Sequence, residues 1–240
     1  MPYRRLPNTD QARIRALKSA VDKGNMWNMY NLVISLKTLS EARNFLTKFQ
    51  AAQSYYRDCY ANQAKGSRKH LANVKMARLY VSHFIQVLNL SVLRSEVKVS
   101  HKEMYGLPTD SFNVPDLMSE SSIVEWGSKI INGEMQRISQ GGIPIYNPTI
   151  AKVKVHYDIF LEGYERQKNL QALTSRSLDN LASMRQRADE IILDIWNQVE
   201  ERYEQLQPNE ERLDKCREYG VVYYYRVGEK GIGNIPDEDN

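Results

Sequence analysis

Apolar residues recur at intervals of three and four along most of this chain, a spacing that predicts long amphipathic helices. Residues 164–207 contain neither glycine nor proline, and Gly66 is the only residue of either type between Thr38 and Arg94. Both residue types disfavour the interior of a helix, so their scarcity supports the same prediction. The predicted fold class is all-α.

The longest periodic segment predicts an antiparallel helical hairpin over about 39–94. Thr38 and Glu41 have the spacing of a capping box at its start, and Lys65-Gly66-Ser67 predicts a short turn between its two arms. Each arm carries one apolar stripe that a neighbouring helix can bury. These stripes are Ala42, Phe45, Leu46, Phe49, Ala52, Tyr56, Cys59 and Tyr60 in the first arm, and Leu71, Val74, Ala77, Val81, Phe84, Ile85, Leu88 and Val92 in the second.

A second hairpin is predicted over about 149–207, with Pro148 suited to the first helical position. The apolar stripe lapses between Tyr164 and Leu178, where polar residues indicate a solvated turn. One continuous helix is the alternative, because the spacing across this gap is two heptads and keeps the helical phase. Two such hairpins would pack as an antiparallel four-helix bundle.

Shorter elements complete the prediction. An N-terminal helix is capped by Asn8 or Thr9 and stopped by Gly24, and a crossover helix covers about 121–140. Residues 1–207 are predicted to form one helical bundle domain. Residues 208–240 add a short helix, a Tyr-rich strand and an acidic tail packed on the same domain. The strand, residues 220–227, is expected to pair with the alternating residues 96–100 or with another chain.

The composition is typical of a soluble globular protein, with 42% apolar and 26% charged residues. No segment approaches the ~20 apolar residues that span a bilayer, and the amino terminus lacks the apolar run of a secretory signal. A cytoplasmic location without a membrane partner is therefore expected. The two cysteines, Cys59 and Cys216, are too few for a disulfide framework and are interpreted as small buried hydrophobic residues.

Charge is distributed unevenly along the chain. Residues 1–110 contain 18 Lys or Arg against 7 Asp or Glu, whereas residues 111–240 contain 15 against 22. The two halves could complement each other within one fold or between subunits, and the basic half could bind nucleic acid or another polyanion. The candidate polyanion contacts are Arg4, Arg5, Lys65, Arg68 and Lys69.

The motifs that enzymes require are missing from the sequence. There is no Glu-x-x-His of a di-iron bundle, no Cys or His pair at metal-ligand spacing, and no Walker or G-x-S-x-G motif. Carboxylates cluster at 158–165 and 189–194, but the accompanying arginines, Arg166, Arg185 and Arg187, favour solvated helix faces over a cation site. The protein is therefore predicted to be non-enzymatic, with no catalytic residue, no metal ligand and no cofactor.

The leading hypothesis is a non-enzymatic helical scaffold or protein-interaction module that self-associates, so its partner is a second copy or another protein. The candidate interaction residues are Trp196, Tyr223, Tyr224 and Tyr225. Trp196 could fill the core or anchor an interface, and the tyrosines could lie on an edge strand. The alternative is a nucleic-acid-associated protein that uses the basic N-terminal half, with these tyrosines stacking on bases.

Overall fold

The structure is a computed structural model that describes residues 2–25 and 32–225, and it confirms the all-α prediction. The remainder of the predicted strand, residues 226–227, and the acidic tail lie outside the described residues. The elements in chain order are β1 (Tyr3–Arg4), α1 (Asp10–Gly24), α2 (Leu36–Leu93), a 3-10 helix (Val99–Tyr105), α3 (Glu120–Ser139), α4 (Ile150–Ser183), α5 (Arg185–Arg202), α6 (Asn209–Arg217) and β2 (Tyr223–Tyr224).

The chain divides into two compact units. Unit 1 consists of the described parts of Met1–Asp58 and Ser175–Asn240, and unit 2 consists of Cys59–Thr174. Helices α2 and α4 each contribute residues to both units. Among the described residues, no helix combines the length and apolarity needed to cross a membrane.

The first predicted hairpin is wrong, because α2 continues without a turn through Lys65-Gly66-Ser67. A glycine inside a helix costs only about 1 kcal/mol relative to alanine, which packing outweighs. A Cβ added to Gly66 would lie 2.7 Å from Leu170 Cδ1. Gly66 therefore allows α2 and α4 to approach each other closely within unit 2, rather than marking a turn.

The second predicted turn is also wrong, and the continuous-helix alternative is confirmed for residues 150–183. Gln167, Thr174 and Ser177, in the polar gap of the stripe, are buried rather than solvated. The Thr174 hydroxyl donates to the carbonyl of Leu170 at 3.0 Å, so it is satisfied within the helix. A break comes instead at Met184, immediately before α5. The structure does not confirm the four-helix bundle, which depended on the two predicted turns.

The starts of α1 and α2 agree with local capping rules. Thr9 caps α1 by accepting a hydrogen bond from the amide of Ala12 at 3.1 Å, as predicted. The crossover helix is confirmed as α3. Helix α2 begins before the predicted capping box, since Ser35 Oγ accepts from the amide of Thr38 at 3.2 Å. Thr38 instead donates its hydroxyl to Asp194 at 2.8 Å.

The Tyr-rich strand pairs within the chain. Strands β1 and β2 are antiparallel, with Tyr3 opposite Tyr224 and Arg4 opposite Tyr223. The predicted pairing with residues 96–100 is wrong, because the 3-10 helix begins at Val99. The true partner is a two-residue strand at the N-terminus that carries no alternating pattern long enough to predict a strand.

Each unit has its own hydrophobic core. The core of unit 1 includes Leu17, Phe49, Trp196 and Tyr219, and that of unit 2 includes Phe84, Tyr105, Ile123 and Phe160. Cys216 is buried in unit 1 as predicted, and burial raises the pKa of its thiol. Cys59 is half-buried.

A buried polar network lies in unit 2. The Glu134 carboxylate accepts from Arg137 at 2.8 and 2.9 Å, from the Tyr105 hydroxyl, and from the amide of Ile145 at 3.0 Å. Arg137 also donates to the carbonyl of Ile143 at 2.7 Å. Burial, together with the hydrogen bond to Glu134, raises the pKa of Tyr105 far above its usual value. These polar groups satisfy one another. The network therefore attaches two segments to α3: the 3-10 helix, through Tyr105, and the chain that follows α3, through Ile143 and Ile145.

Candidate functional site

Trp196 lies in the core of unit 1 and is 1% exposed. Of its two predicted roles, core filling is therefore the one that the structure shows. A side chain this deeply buried is not available as an anchor on the protein surface.

The three tyrosines near the C-terminus belong to unit 1. Tyr223 is half-buried and donates its hydroxyl to Glu200 at 2.7 Å. Burial and this hydrogen bond raise the pKa of Tyr223. The ring of Tyr224 lies 5.8 Å from that of Tyr3 across the two-stranded sheet, and Tyr225 follows at the end of the strand, half-buried. The edge of β2 that faces β1 is thus occupied by this chain.

The five candidate polyanion contacts fall into two groups. Arg4 and Arg5 belong to unit 1, where Arg4 donates to Asn197 at 2.7 Å and lies 3.3 Å from a Glu200 carboxylate oxygen. The other three, Lys65, Arg68 and Lys69, are exposed on α2 within unit 2.

Two of these lysines line a cleft between α2 and α4 in unit 2, which we call the basic cleft. Arg166 joins Lys65 and Lys69 there, and the volume of the cleft is about 620 Å³. Within the described part of the chain, no carboxylate oxygen lies within 4.0 Å of the charged nitrogens of these three residues. Glu162 also lines the cleft, as do the amide side chains of Asn62, Asn73 and Gln167.

Buried polar groups form part of the wall of the basic cleft. His70 is 5% exposed and Gln167 is 8% exposed. His70 Nε2 lies 3.1 Å from an oxygen of Glu120, and the imidazole stacks on Phe160 with 5.6 Å between ring centroids. His70 Nδ1 and Gln167 Oε1 have no hydrogen-bond partner among the described residues.

Gly163 on α4 leaves room for the imidazole of His70. A Cβ added to Gly163 on α4 would lie 2.5 Å from His70 Nδ1 and 3.1 Å from its Cε1, well inside van der Waals contact. The sequence therefore places a residue without a side chain opposite the buried histidine.

A second candidate site is an apolar stripe on the solvent side of α2, in unit 2. Met76, Leu79, Leu90 and Leu93 are between 38 and 61% exposed. With the exposed residues His83 and Gln86 between them, they follow the four-three spacing of coiled-coil a and d positions. We call these six residues, Met76, Leu79, His83, Gln86, Leu90 and Leu93, the outer stripe.

The outer stripe lies opposite the core face of the same helix. Val81 and Val92 follow Leu79 and Leu90 by two residues, which corresponds to about 200° around an α-helix. Both valines are buried in the core of unit 2. Helix α2 is thus apolar on two opposite faces, and only one of them is covered by this unit.

Sequence reasoning missed both arrangements for different reasons. The four-three spacing of the outer stripe was present, but the stronger core stripe of the same helix obscured it. Arg166, Gln167 and Gly163 join the basic cleft only because α2 and α4 are neighbours, which no local pattern signals. The described residues contain no group of three His, Cys, Asp or Glu side chains that could hold a metal ion.

No protein-family model, curated protein or solved structure shows a significant match to this chain. Function therefore has to be inferred from the two candidate sites themselves.

Proposed function

We propose that this protein is a non-enzymatic helical scaffold that self-associates through the outer stripe of α2. The observation that carries the proposal is the exposure of four large apolar side chains at heptad spacing on one helix face. A stripe of this kind is the pattern by which two helices bury each other in a coiled coil.

The order of residues in the outer stripe is self-complementary. In an antiparallel pair of helices, a positions of one helix face d positions of the other. If the two-fold axis passes between Phe84 and Ile85, Leu79 faces Leu90 and Met76 faces Leu93 of the second copy. A closed dimer with the same patch on both subunits is the commonest form of oligomer, which makes a second copy the favoured partner.

The polar pair at the middle of the outer stripe fits the same arrangement. His83 of one subunit would face Gln86 of the other, and both side chains can donate and accept hydrogen bonds. Polar residues at a and d positions reduce stability but specify register and orientation. We therefore expect one antiparallel register and a dimer that dissociates on dilution.

Light scattering and sedimentation velocity over a range of protein concentrations test the proposal. We expect a dimer that Leu79→Glu converts to a monomer, because the substitution buries an unpaired charge in the seam. Val155→Glu is the matched control, since Val155 is a similarly exposed apolar residue on α4. A wild-type monomer at every concentration, or a Leu79→Glu dimer, would contradict the proposal.

Cysteine cross-linking tests the predicted orientation. In a Cys59→Ser background, Leu79→Cys combined with Leu90→Cys should form disulfide-linked dimers under mild oxidation, while neither single variant should. Cross-linking of the single variants instead would indicate parallel helices, in which each position faces itself.

The alternative function, nucleic-acid association through the basic N-terminal half, is supported by only some of the candidate cations. It draws on Lys65, Arg68 and Lys69 of α2, which are exposed and have no acidic partner among the described residues, because Arg4 in unit 1 already has an acidic partner. Phosphate contacts of this kind predict that affinity for DNA or RNA falls steeply as salt is raised. Absence of binding at low salt would exclude this alternative.

A further inference from the structure

We propose that the basic cleft of unit 2 binds a small phosphate ester that also carries hydroxyl or amino groups. The cleft is separate from the outer stripe, so this site does not depend on the proposed self-association. Its volume of about 620 Å³ falls in the range of small-molecule sites and exceeds the space needed for one phosphate group.

The phosphate group follows from the cations. Lys65 and Lys69 are four residues apart on α2 and thus share one helix face, while Arg166 lies on the opposing helix. Lysine acts as a point charge towards phosphate, and arginine can donate two hydrogen bonds to it. Three cations that have no acidic partner within 4.0 Å among the described residues provide a favourable environment for a dianion.

The hydroxyl or amino groups follow from the other lining residues. Glu162 would repel a ligand that presents only phosphate oxygens, but its carboxylate accepts hydrogen bonds from hydroxyl or amino groups. Asn62 and Asn73 can donate to and accept from the same ligand. The cleft therefore combines anion-binding residues with acceptors for ligand donors, as a site for a sugar phosphate or nucleotide requires.

The unpartnered buried atoms also call for donors. With Nε2–H directed at the Glu120 carboxylate, His70 Nδ1 is an acceptor, and Gln167 Oε1 is an acceptor in any case. An unsatisfied buried acceptor destabilises a protein, so two at one cleft need a reason. His70 Nδ1 packs against Gly163 and Gln167 Oε1 against Gly66, so of the two only Gln167, whose amide can turn about its terminal bond, is able to present its oxygen to a ligand in the cleft.

Isothermal titration calorimetry with the full chain tests the site. The probes are ribose 5-phosphate, adenosine 5′-monophosphate, inorganic phosphate, ribose and a 20-nucleotide single-stranded DNA, each at low and physiological salt. We expect one of the two phosphate esters to bind with at least tenfold higher affinity than inorganic phosphate or ribose. Binding of the DNA alone would assign the cations to a nucleic-acid backbone and overturn the proposal, as would binding of none of the probes.

Charge-neutralising variants locate the site. Lys69→Gln and Arg166→Gln should each raise the dissociation constant about tenfold, the equivalent of one charge-assisted hydrogen bond. Arg68→Gln is the matched control, because Arg68 is an exposed cation on the same helix that does not line the cleft. An equal loss in Arg68→Gln would show diffuse attraction rather than a site.

Two further substitutions separate this proposal from self-association. Leu79→Glu should leave phosphate-ester affinity unchanged, because the outer stripe does not line the cleft. Gln167→Met keeps the side-chain volume but removes the acceptor, and we expect it to weaken the phosphate ester more than inorganic phosphate. Equal weakening of both would contradict the role given to Gln167.

Discussion

The two units of this protein use charged residues in opposite ways. In unit 1 the cations of the N-terminal segment pair with acids from the C-terminal segment, as in Arg13 with Asp189 and Lys23 with Glu218. In unit 2 one ion pair, Glu134 with Arg137, is fully buried, while the cations of the basic cleft have no acidic partner among the described residues. Charged side chains from the two segments of unit 1 thus pair with each other, whereas Lys65, Lys69 and Arg166 of unit 2 have no acidic partner among the described residues.

The ion pairs of unit 1 connect segments that are distant in sequence. Arg13 donates to both oxygens of Asp189 at 2.8 and 2.9 Å, and Arg185 does the same to Asp10 at 2.8 and 2.9 Å. These reciprocal pairs join α1 to α5. Two-point geometry of this kind is the arrangement in which arginine contributes most to specificity. Complementation within the fold, one of the three interpretations of the charge asymmetry, is therefore supported by Arg13 with Asp189 and Lys23 with Glu218, whereas Arg185 with Asp10 pairs in the opposite direction.

The largest effect is expected at the buried pair of unit 2. Glu134→Gln leaves Arg137 as an uncompensated buried charge, so we expect the free energy of unfolding to fall by about 3–5 kcal/mol. Urea unfolding followed by circular dichroism measures this loss. The control is Glu125→Gln, whose salt bridge with Lys129 is exposed and should be worth less than about 1 kcal/mol. Similar losses in both variants would contradict the distinction between buried and surface pairs.

An intermediate effect is expected in unit 1. Arg13→Gln removes a two-point hydrogen bond that is only partly exposed, and should lower the free energy of unfolding by about 1–3 kcal/mol. Lys18→Gln serves as the comparison in the same helix, because Lys18 is exposed and has no acidic partner among the described residues. If Arg13→Gln left the free energy of unfolding unchanged, the pair of Arg13 and Asp189 would not stabilise unit 1.

The smallest effect on stability is expected at the basic cleft. Replacing Lys65, Lys69 and Arg166 together with Gln removes like charges that have no described acidic partner, so the free energy of unfolding should stay within about 0.5 kcal/mol of wild type. The same urea titration measures it. A substantial loss would mean that these cations stabilise unit 2, and the contrast between the units would then fail.

The helices were predictable because their signal is local. The three-four spacing that identified Val74, Ala77, Val81 and Phe84 as core residues depends only on helical geometry, and all four are buried. The prediction of a turn at Gly66 was wrong because the role of this glycine depends on a contact with a distant residue and not on the local sequence. A glycine that permits close helix packing and a glycine that ends a helix look the same in one sequence, and the distance to Leu170 distinguishes them.

The candidate sites were predictable only in part. Lys65 and Lys69 were selected from charge alone, and they do line the basic cleft. Their neighbour Arg166 was interpreted as a member of a solvated helix face, because its proximity to α2 arises from packing between residues about 100 positions apart. Trp196 shows the same limit, since its position beside an apolar stripe fitted both a core and a surface role.

By itself, the sequence determined the all-α class, the location of most helices, and the excess of positive charge in the first half, because each depends on composition or on periodicity within one helix. Only the tertiary structure decided that α2 runs on without a turn, that β2 pairs with β1, and which cations are neutralised. These features depend on contacts between distant segments, whose free energies outweigh the small local preferences that a sequence pattern records.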